Sequence, residues 1–319
     1  MPGFGAIVAC EKFAGGQSNP TFLIKTDGNK YVLRRKPPGL LLKSAHAVDR
    51  EYRVMKALEH TEVPVPKMLV LCDDDSVIGS MFYLMEFVEG RILWDSRLPE
   101  VDNAQRTAMY AEMVRLLAAL HTLDLDKIGL RDYGKPGNYF ARQVNRWSEQ
   151  YRASKTRERP AVETLMMWLA QNIPADDGRV ALIHGDFRFD NVIFHPTEPY
   201  VIAVLDWELS TLGHPFADFA YQCMQLRQPQ DFIIAGLDGF DRRAHGIPSE
   251  EEYRARYCEL TGIDAIPNWN FYLAFNYFRL AAILEGVYKR SLDGNASNPK
   301  AGRYGAAVEP LARKAMELV

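Results

Sequence analysis

Polar side chains cluster in one short stretch of the sequence, and this stretch constrains the fold more than any other. It is His184-Gly185-Asp186-Phe187-Arg188-Phe189-Asp190-Asn191, and Leu205-Asp206-Trp207-Glu208 follows it. Short predicted strands border these segments: Val180–Ile183, Asn191–Phe194 and Tyr200–Leu205. The last two strands are joined by a proline-containing turn and predict a β-hairpin. Because Asp186, Asn191 and Asp206 stand where strands begin or end, we expect them at one edge.

This set of side chains is typical of phosphoryl transfer. Such chemistry needs a carboxylate near the attacking hydroxyl, oxygen ligands that hold Mg²⁺ against the phosphates, and a cation that absorbs developing charge. Asp186 suits the first role, and Asn191 and Asp206 suit the second. Arg188 suits the third, although a solvated loop arginine is the alternative. His184 is expected to be a structural hydrogen-bonding residue, and the spacing of the whole set also matches the protein-kinase catalytic loop.

The first part of the chain predicts a small lobe rich in β-strands. Two β-rich runs, Thr21–Lys25 and Tyr31–Arg35, flank a turn-forming sequence and predict a hairpin. Ser44 is the candidate cap of a helix, and its apolar residues recur at helical spacing: Val48, Tyr52, Met55 and Leu58. A buried strand is predicted over Met81–Val88, and Glu89-Gly90 is the predicted link to the remainder.

The remainder predicts a mostly helical lobe. Helical periodicity begins after the capping candidates Asp102 and Asn103. Further helices are predicted over Gly137–Arg152, Val162–Asn172 and Asn270–Lys289. The sequence therefore predicts an α+β protein with an antiparallel-sheet lobe over residues 1–89 and a mostly helical lobe over residues 90–319. The hairpin that carries the polar cluster is embedded in the second lobe.

Arg34 and Glu51 are the most informative pair in the first lobe. Glu51 falls inside the apolar stripe of its helix, and a carboxylate that faces a core needs a partner. Arg34 on the neighbouring strand can supply that partner, because side chains alternate along a strand and Val32 and Arg34 share one face. A shift of one residue would put Arg35 in this place instead. A Glu51 side chain that reaches solvent from the edge of the stripe is the other alternative.

A nucleotide-binding set can be assembled around this pair. A glycine-containing turn before a strand can cover phosphates with its backbone N–H groups, although its composition is ordinary for a turn. The backbone of the strand at Met81–Val88 is the expected hinge that contacts adenine. The predicted nucleotide-binding residues are Gly15, Gly16, Ser18, Asn19, Val32, Arg34, Glu51, Met85, Glu86 and Val88.

Several segments together resemble a known superfamily. They are Gly15–Phe22, Tyr31–Arg34, Lys36–Gly39, Asp49–Glu51, His184–Asn191 and Leu205–Pro215. With these residues the sequence resembles the aminoglycoside phosphotransferase and choline kinase superfamily over nearly its whole length. It is most similar to the kinase-like domain that is fused to certain acyl-CoA dehydrogenases.

The resemblance implies a bilobal kinase-like fold and ATP- and Mg²⁺-dependent phosphorylation of a hydroxyl on a small molecule. It also implies hydroxyacyl-CoA acceptors and a buried structural role for Asp218, and it leaves open whether an acyl-CoA dehydrogenase acts as a partner in trans. Two residues depart from the kinase pattern. Arg34 replaces the usual lysine, and Glu208 stands where protein kinases have glycine, which favours a permanently assembled site.

Composition excludes several classes of function. The 319 residues carry a net charge of −3, which gives no bulk electrostatic case for nucleic acid or a membrane surface. The four scattered cysteines fit a reducing cytoplasm and form no zinc or disulfide framework. No apolar run is long enough to predict a membrane span.

Local charge bears on the acceptor. Six basic and two acidic residues lie between Arg142 and Arg159, a pattern that favours an anionic acceptor over a cationic aminoglycoside. Arg146 and Arg152 are the candidate acceptor-binding residues in this segment, and Glu208 is a third candidate. A solvated basic helix face is the alternative interpretation.

Other functions stay open at this point. An aminoglycoside or amino-alcohol kinase is the first alternative, and a nucleotide-binding pseudokinase with the same layout is the second. A metal-dependent hydrolase would use as ligands His184, Asp186, Asp206, Glu208 and His214. The hydrolase interpretation leaves Arg34 and Glu51 unexplained.

Overall fold

The computed structural model describes residues 4–13, 19–37, 47–233, 235–295 and 301–319. The chain divides into two compact units, and each is built from three segments. The first unit is Met1–Leu93, Asp124–Arg131 and Arg188–Ser210, and the second is Trp94–Leu123, Asp132–Phe187 and Thr211–Val319. The lobe boundary between residues 89 and 90 stays a prediction.

Short strands and longer helices make up these units. The strands are β1 (Ile7–Lys12), β2 (Thr21–Thr26), β3 (Lys30–Arg35), β4 (Met68–Cys72), β5 (Phe82–Glu86), β6 (Ala181–Ile183), β7 (Val192–Phe194), β8 (Val201–Val204) and β9 (Thr211–Gly213). The helices are α1 (Val48–Leu58), α2 (Asp75–Ile78), α3 (Asn103–His121), α4 (Tyr139–Ser154), α5 (Pro160–Gln171), α6 (Pro215–Leu226), α7 (Glu250–Thr261), α8 (Trp269–Leu292) and α9 (Val308–Met316).

The first unit contains a five-stranded antiparallel sheet in the order β1-β2-β3-β5-β4. The predicted hairpin is confirmed, because β2 and β3 pair with Thr21 opposite Arg34. Side chains alternate along the hairpin, so that Ile24, Tyr31 and Leu84 form a buried cluster on one face, with Leu33 packed against it. Residues 32 and 34 therefore share the opposite face of β3, as the sequence predicted.

Helix α1 carries the predicted apolar stripe. Val48, Val54, Met55 and Leu58 are buried along it. The helix begins at Val48 without a side-chain cap, and the predicted cap, residue 44, lies outside the described residues. Helix α1 contacts β4 and β5, which places its buried face towards the sheet.

The predicted second hairpin is also confirmed within the first unit. β7 and β8 pair antiparallel with Val192 opposite Val204, and the backbone N–H of His195 donates to the Tyr200 carbonyl at 2.9 Å. The chain that follows β5 lies directly against this hairpin. The backbone N–H of Arg91 donates to the Phe194 carbonyl at 2.9 Å, and Gly90 packs on the same strand.

The second unit is mostly helical, and the predicted helices are present with ends shifted by a few residues. Every residue of α6 is buried, and α8 packs against α4, α6 and α9. A two-stranded antiparallel sheet of β6 and β9 lies in this unit, and its second strand was not predicted. Within the described part of the chain, no helix is long and apolar enough to cross a membrane.

Substitution of Gly90 with alanine should destabilise the first unit. A Cβ at this position would lie 2.3 Å from the Phe194 carbonyl oxygen and 2.4 Å from a methyl carbon of Ile193. Relieving such overlap by moving backbone costs about 1–3 kcal/mol of unfolding free energy. Gly28→Ala is the matched control, because nothing lies within 4 Å of its Cβ position and its φ is not positive. Urea denaturation should show a loss for Gly90→Ala alone, and equal stability of the two variants would contradict this packing.

Candidate functional site

In the first unit, Arg34 of β3 contacts three carboxylates. Its Nε lies 3.0 Å from Oε2 of Glu51, and its Nη2 lies 2.9 Å from Oδ1 of Asp206 and 3.1 Å from Oε2 of Glu208. The two Nη2 contacts are hydrogen bonds, whereas Nε is not aligned for one, so the Glu51 contact is an ion pair. The predicted pairing of Arg34 with Glu51 is confirmed, and the same guanidinium also reaches the loop that follows β8.

Glu51 is the buried centre of this network, with 1% of its surface exposed. Besides Arg34, it accepts hydrogen bonds from the amide Nδ2 of Asn19 at 2.7 Å and from the hydroxyl of Tyr83 at 3.2 Å. Burial raises the pKa of Glu51 to about 7, and the charge of Arg34 opposes that rise. Burial alone would lower the pKa of Arg34, but the three carboxylates, led by Glu51, raise it above its ordinary value. The guanidinium therefore stays charged and supports ionisation of its partner.

Arg35 takes a different position from Arg34. Its Nε donates to the Lys36 carbonyl and its Nη1 to the Ile78 carbonyl, each at 3.3 Å. It contacts no carboxylate within the described part of the chain. The strand register that places Arg34 beside Glu51 is therefore the observed one.

Asp206 and Glu208 lie on a tight turn that follows β8. Asp206 has a φ of 62°, in the left-handed region, and a short 3₁₀ turn over Trp207–Leu209 follows it. The Trp207 ring is buried, and its Nε1 donates to the Val204 carbonyl at 3.0 Å. The hydroxyl of Ser210 donates to the Trp207 carbonyl at 2.6 Å and closes the turn. A buried tryptophan thus fixes the carboxylates on either side of it.

Asn191 and Asp206, the predicted metal ligands, flank the second hairpin: Asn191 directly precedes β7, and Asp206 follows β8. The Leu205 backbone N–H donates to the Asn191 carbonyl at 2.8 Å, which places the two loops side by side. Asp206 accepts from Arg34 with Oδ1, while its side chain keeps 34% exposure. Amide and carboxylate oxygens are hard ligands that suit Mg²⁺ shared with phosphates. Among the described residues no group of three or more His, Cys, Asp or Glu could hold a metal ion, so a closed protein cage is not formed there.

His214, one of the metal ligands in the hydrolase interpretation, uses both ring nitrogens for contacts within the protein. Nε2 of His214 lies 3.2 Å from Oδ1 of Asp177, and its Nδ1 accepts the Phe216 backbone N–H at 3.3 Å. Burial lowers the pKa of His214, which Asp177 opposes. His214 therefore caps α6 and does not present a nitrogen to a metal.

In the second unit, Asp218 of α6 holds the turn that contains Asp186. Its Oδ2 accepts the His184 backbone N–H at 2.6 Å, and its Oδ1 accepts the Gly185 N–H at 2.7 Å. Burial would raise the pKa of Asp218, but its interactions with His121, together with the bond from the His184 N–H, lower it below its usual 3.8. Gly185 has a φ of 86°, which glycine tolerates without strain. An ionised, fully buried carboxylate therefore shapes the turn.

His184 has the structural role that was expected for it. It is fully buried, and its Nδ1 accepts the Asp186 backbone N–H at 3.2 Å. Asp186 itself is half-buried, and its Oδ1 accepts a 2.6 Å hydrogen bond from the hydroxyl of Tyr221. Nη2 of Arg279 donates to the Gly185 carbonyl at 2.6 Å. Sequence reasoning missed Tyr221 and Arg279, since no period or spacing links them to the loop.

The other predicted nucleotide residues lie in the first unit. Val32 and Met85 are buried opposite each other on β3 and β5. The Glu86 N–H donates to the Lys67 carbonyl at 3.0 Å, so the sheet already uses this donor, and Val88 is half-buried after β5. Asn19 is buried against Glu51, whereas the predicted Gly15, Gly16 and Ser18 lie outside the described residues.

Arg188, the predicted cation, begins the segment of the first unit that carries the second hairpin. Its Nη2 lies 3.0 Å from Oδ2 of Asp190. Part of its charge is therefore directed to a neighbouring carboxylate. Its role towards a phosphate stays a prediction.

The basic segment after residue 142 does not form one charged surface. Arg159 is only 1% exposed, and its Nη2 lies 2.7 Å from Oε2 of the buried Glu285. Nζ of Lys155 lies 2.8 Å from Glu158 and 2.9 Å from Glu163. Two of the basic side chains are thus paired with Glu285 and Glu163, acids outside the counted segment.

Arg146 and Arg152 are exposed on α4. They are six positions apart on the helix, so their side chains leave it about 120° apart. The structure therefore does not bring these two predicted acceptor-binding residues to one face. Glu208 belongs to the Arg34 network in the first unit.

Replacement of Arg34 with methionine should leave Glu51 as a buried carboxylate without a positively charged partner. We expect a loss of about 3–5 kcal/mol in unfolding free energy near pH 8, as for other broken buried ion pairs. Because the folded-state pKa of Glu51 is raised above the ordinary 4.5, the penalty should shrink as pH falls towards 5 and the carboxyl becomes protonated.

Arg35→Met is the matched control for this experiment, since Arg35 lies on the same strand and makes two long carbonyl contacts, with no carboxylate partner among the described residues. Urea denaturation at the two pH values measures both variants. A loss for Arg35→Met as large as that for Arg34→Met would show that the ion pair is not the cause.

Comparison with known proteins agrees with this architecture. Residues 9–270 match the family model described as APH, the phosphotransferase enzyme family. The chain is 50% identical over 307 residues to acyl-CoA dehydrogenase family member 10 of Mus musculus, covering 96% of this chain and 29% of the mouse protein. It is 48% identical over 325 residues to acyl-CoA dehydrogenase family member 11 of Gallus gallus, covering all of this chain and 42% of the chicken protein. The chain thus spans less than half the length of these relatives.

Solved structures show the same fold. A crystal structure from Ralstonia eutropha, named provisionally an aminoglycoside phosphotransferase, is 52% identical with a TM-score of 0.90, and covers 99% of this chain and 94% of its own. A thermostable mutant of the aminoglycoside phosphotransferase APH(4)-Ia was solved in complex with AMP-PNP and hygromycin B. It is 17% identical with a TM-score of 0.65, and the match covers 99% of this chain and 95% of the mutant's chain. The predicted bilobal kinase-like α+β fold and the predicted superfamily are both confirmed. The chain belongs to the APH phosphotransferase enzyme family.

Proposed function

We propose that this phosphotransferase transfers the γ-phosphoryl group of ATP to a hydroxyl of a small molecule. The observation that carries the proposal is that the Arg34 guanidinium contacts both Glu51 and Asp206. Protein kinases require an ion pair between a strand cation and a helix glutamate, together with a metal-binding aspartate. A purely structural ion pair would not need to extend to the aspartate that follows the second hairpin.

Each of the proposed site residues has its own role in phosphoryl transfer. The acceptor O–H proton passes to the Asp186 carboxylate while the acceptor oxygen bonds to the γ-phosphorus and the bond to the leaving ADP oxygen breaks. Asn191 and Asp206 would hold Mg²⁺, which neutralises charge on the phosphates when it is bound. Arg188 is the proposed cation that stabilises the transferring group.

Nucleotide recognition rests on the first unit. Arg34 uses Nε and Nη2 for carboxylates, while Nη1 has no hydrogen-bond partner within the described ranges. A guanidinium can bind phosphate through that remaining donor while Glu51 holds its orientation. That the APH(4)-Ia mutant was crystallised with AMP-PNP supports a nucleotide site in this fold.

For the acceptor, we favour an anionic hydroxyl compound, with hydroxyacyl-CoA ahead of aminoglycosides. The similarity to acyl-CoA dehydrogenase family members supports this choice. The charge of the α4 segment adds little, because Lys155 and Arg159 have acidic partners. An aminoglycoside or amino-alcohol kinase is the second candidate, favoured by the hygromycin B complex of a structural neighbour. No observation here supports a dehydrogenase partner in trans, so the proposal does not include one.

A screen of acceptors with the Asp186→Asn variant tests the proposal. ATP consumption is measured with hydroxyacyl-CoA thioesters, aminoglycosides and amino-alcohols. With the best acceptor, Asp186→Asn should lower kcat by about 100-fold or more, because it removes the positioned base, while AMP-PNP affinity is retained. Asp238→Asn is the control, since that carboxylate pairs with Lys314 and neither residue has a role in the proposed site. Absence of transfer to every class, or wild-type turnover by Asp186→Asn, would contradict the assignment.

Asp206→Asn should remove the effect of Mg²⁺ on nucleotide binding. The amide is a weaker magnesium ligand than the carboxylate, and asparagine tolerates the left-handed φ of 62° at this position. Titration of AMP-PNP with and without Mg²⁺ measures the gain in affinity due to the metal. We expect Mg²⁺ to increase the AMP-PNP affinity of the wild-type protein by about tenfold or more and that of the variant by little, since even loss of a group that supports a metal ligand costs about 10–100-fold in metal affinity. A variant that retains the full gain would remove Asp206 from the metal site.

A further inference from the structure

One helix face contacts the turn of Asp186 at two points. Asp218 and Tyr221 lie three residues apart on α6, so their side chains leave the same side of the helix. Asp218 accepts the backbone N–H groups of His184 and Gly185, and Tyr221 donates its hydroxyl to Oδ1 of Asp186 at 2.6 Å. The first contact fixes the backbone of the turn. The second fixes the carboxylate itself.

A second helix supports this arrangement with the same spacing. On α8, Asn276 donates to the Ala217 carbonyl at 3.0 Å, and Arg279 donates to the Gly185 carbonyl at 2.6 Å. The Arg279 guanidinium also lies 5.2 Å from the ring centre of Tyr221 and 5.7 Å from that of Trp147 on α4. Arg279 of α8 therefore contacts the Tyr221 ring of α6 and the Trp147 ring of α4.

Burial makes these contacts specific. Tyr221 is 5% exposed and Arg279 is 7% exposed, so neither side chain can easily change its partner. No carboxylate pairs with Arg279 within the described part of the chain, where its guanidinium contacts the Gly185 carbonyl and the two aromatic rings. The stacked guanidinium keeps the Tyr221 ring in place, and the ring keeps its hydroxyl on Asp186.

We propose that Tyr221 is a positioning residue for the base, held by Arg279, and that it acts on the reaction only through Asp186. This inference rests on the proposed function. A carboxylate base must present one oxygen to the acceptor hydroxyl, and an unrestrained carboxylate rotates about its last bond. The hydrogen bond from Tyr221 to Oδ1 fixes the plane of the carboxylate that takes the proton. Precise orientation of this kind is a recognised part of catalytic rate enhancement.

Tyr221→Phe removes the hydroxyl and keeps the ring beneath Arg279. With ATP and the best acceptor of the screen, kcat should fall by about tenfold, whereas the KM for ATP and the Kd of AMP-PNP should stay within about twofold of wild type. Tyr253→Phe is the matched control. Its buried hydroxyl donates at 3.1 Å to Gln222, the neighbour of Tyr221 on α6, and does not contact Asp186. Its kcat should be close to that of wild type.

A double-mutant cycle in urea tests the contact without any activity measurement. The shift in midpoint caused by Tyr221→Phe should largely disappear in an Asp186→Ala background, because the hydroxyl has then lost its partner. The shift caused by Tyr253→Phe should be the same in both backgrounds. Additive shifts for Tyr221→Phe and Asp186→Ala would overturn the contact and the inference with it.

The two failures are distinguishable. If the wild-type protein transfers phosphate to no acceptor, the proposed function fails, and the positioning role fails with it even if the cycle shows coupling. If the wild-type protein is active and Tyr221→Phe has an unchanged kcat, only this inference is overturned. An equal fall in kcat for Tyr221→Phe and Tyr253→Phe would also overturn it, because the loss would then follow from removing any buried tyrosine hydroxyl and not from losing the contact with Asp186.

Discussion

The first unit depends on how one buried positive charge is compensated. Arg34 holds Glu51 of α1 with one nitrogen and the turn after β8 with another. Removing charges from water is costly unless partners and hydrogen bonds replace the lost hydration. Asn19 and Tyr83 supply those hydrogen bonds to Glu51. The sheet, helix α1 and the turn after β8 are therefore linked by one network. Loss of a member leaves a charged group in the low-dielectric interior without one of its partners.

This network also relates the two departures from the kinase pattern. A lysine has a single point charge, whereas the planar guanidinium of Arg34 reaches Glu51 and the Asp206 turn at once. Glu208, which stands where kinases have glycine, adds a carboxylate that the same nitrogen binds at 3.1 Å. The arginine and the glutamate are thus partners across 174 residues of sequence. Each departure is explained by the other.

Sequence reasoning predicted the features that repeat along the chain or follow a spacing rule. The stripe of α1, the alternation along β3 and the buried position of Glu51 all follow from periodicity, and the pairing with Arg34 follows from the need for a partner. Strand β1 was missed because it is exposed on both faces and shows no alternation. Tyr221 and Arg279 were missed because a contact between distant helices has no local signal. The positive segment around α4 was overestimated because charges were counted along the chain, whereas Glu285 lies far away in sequence.

The left-handed backbone at Asp206 has a consequence for the descent of related sequences. Its φ of 62° is tolerated by glycine, asparagine and aspartate, and most other side chains would strain the turn. A gene copy released from selection for catalysis would still be selected for folding at this position. Such a copy should accumulate asparagine or glycine here far more often than alanine or valine. A relative with glycine or asparagine at this site would therefore have kept the fold and lost the carboxylate proposed to bind the metal.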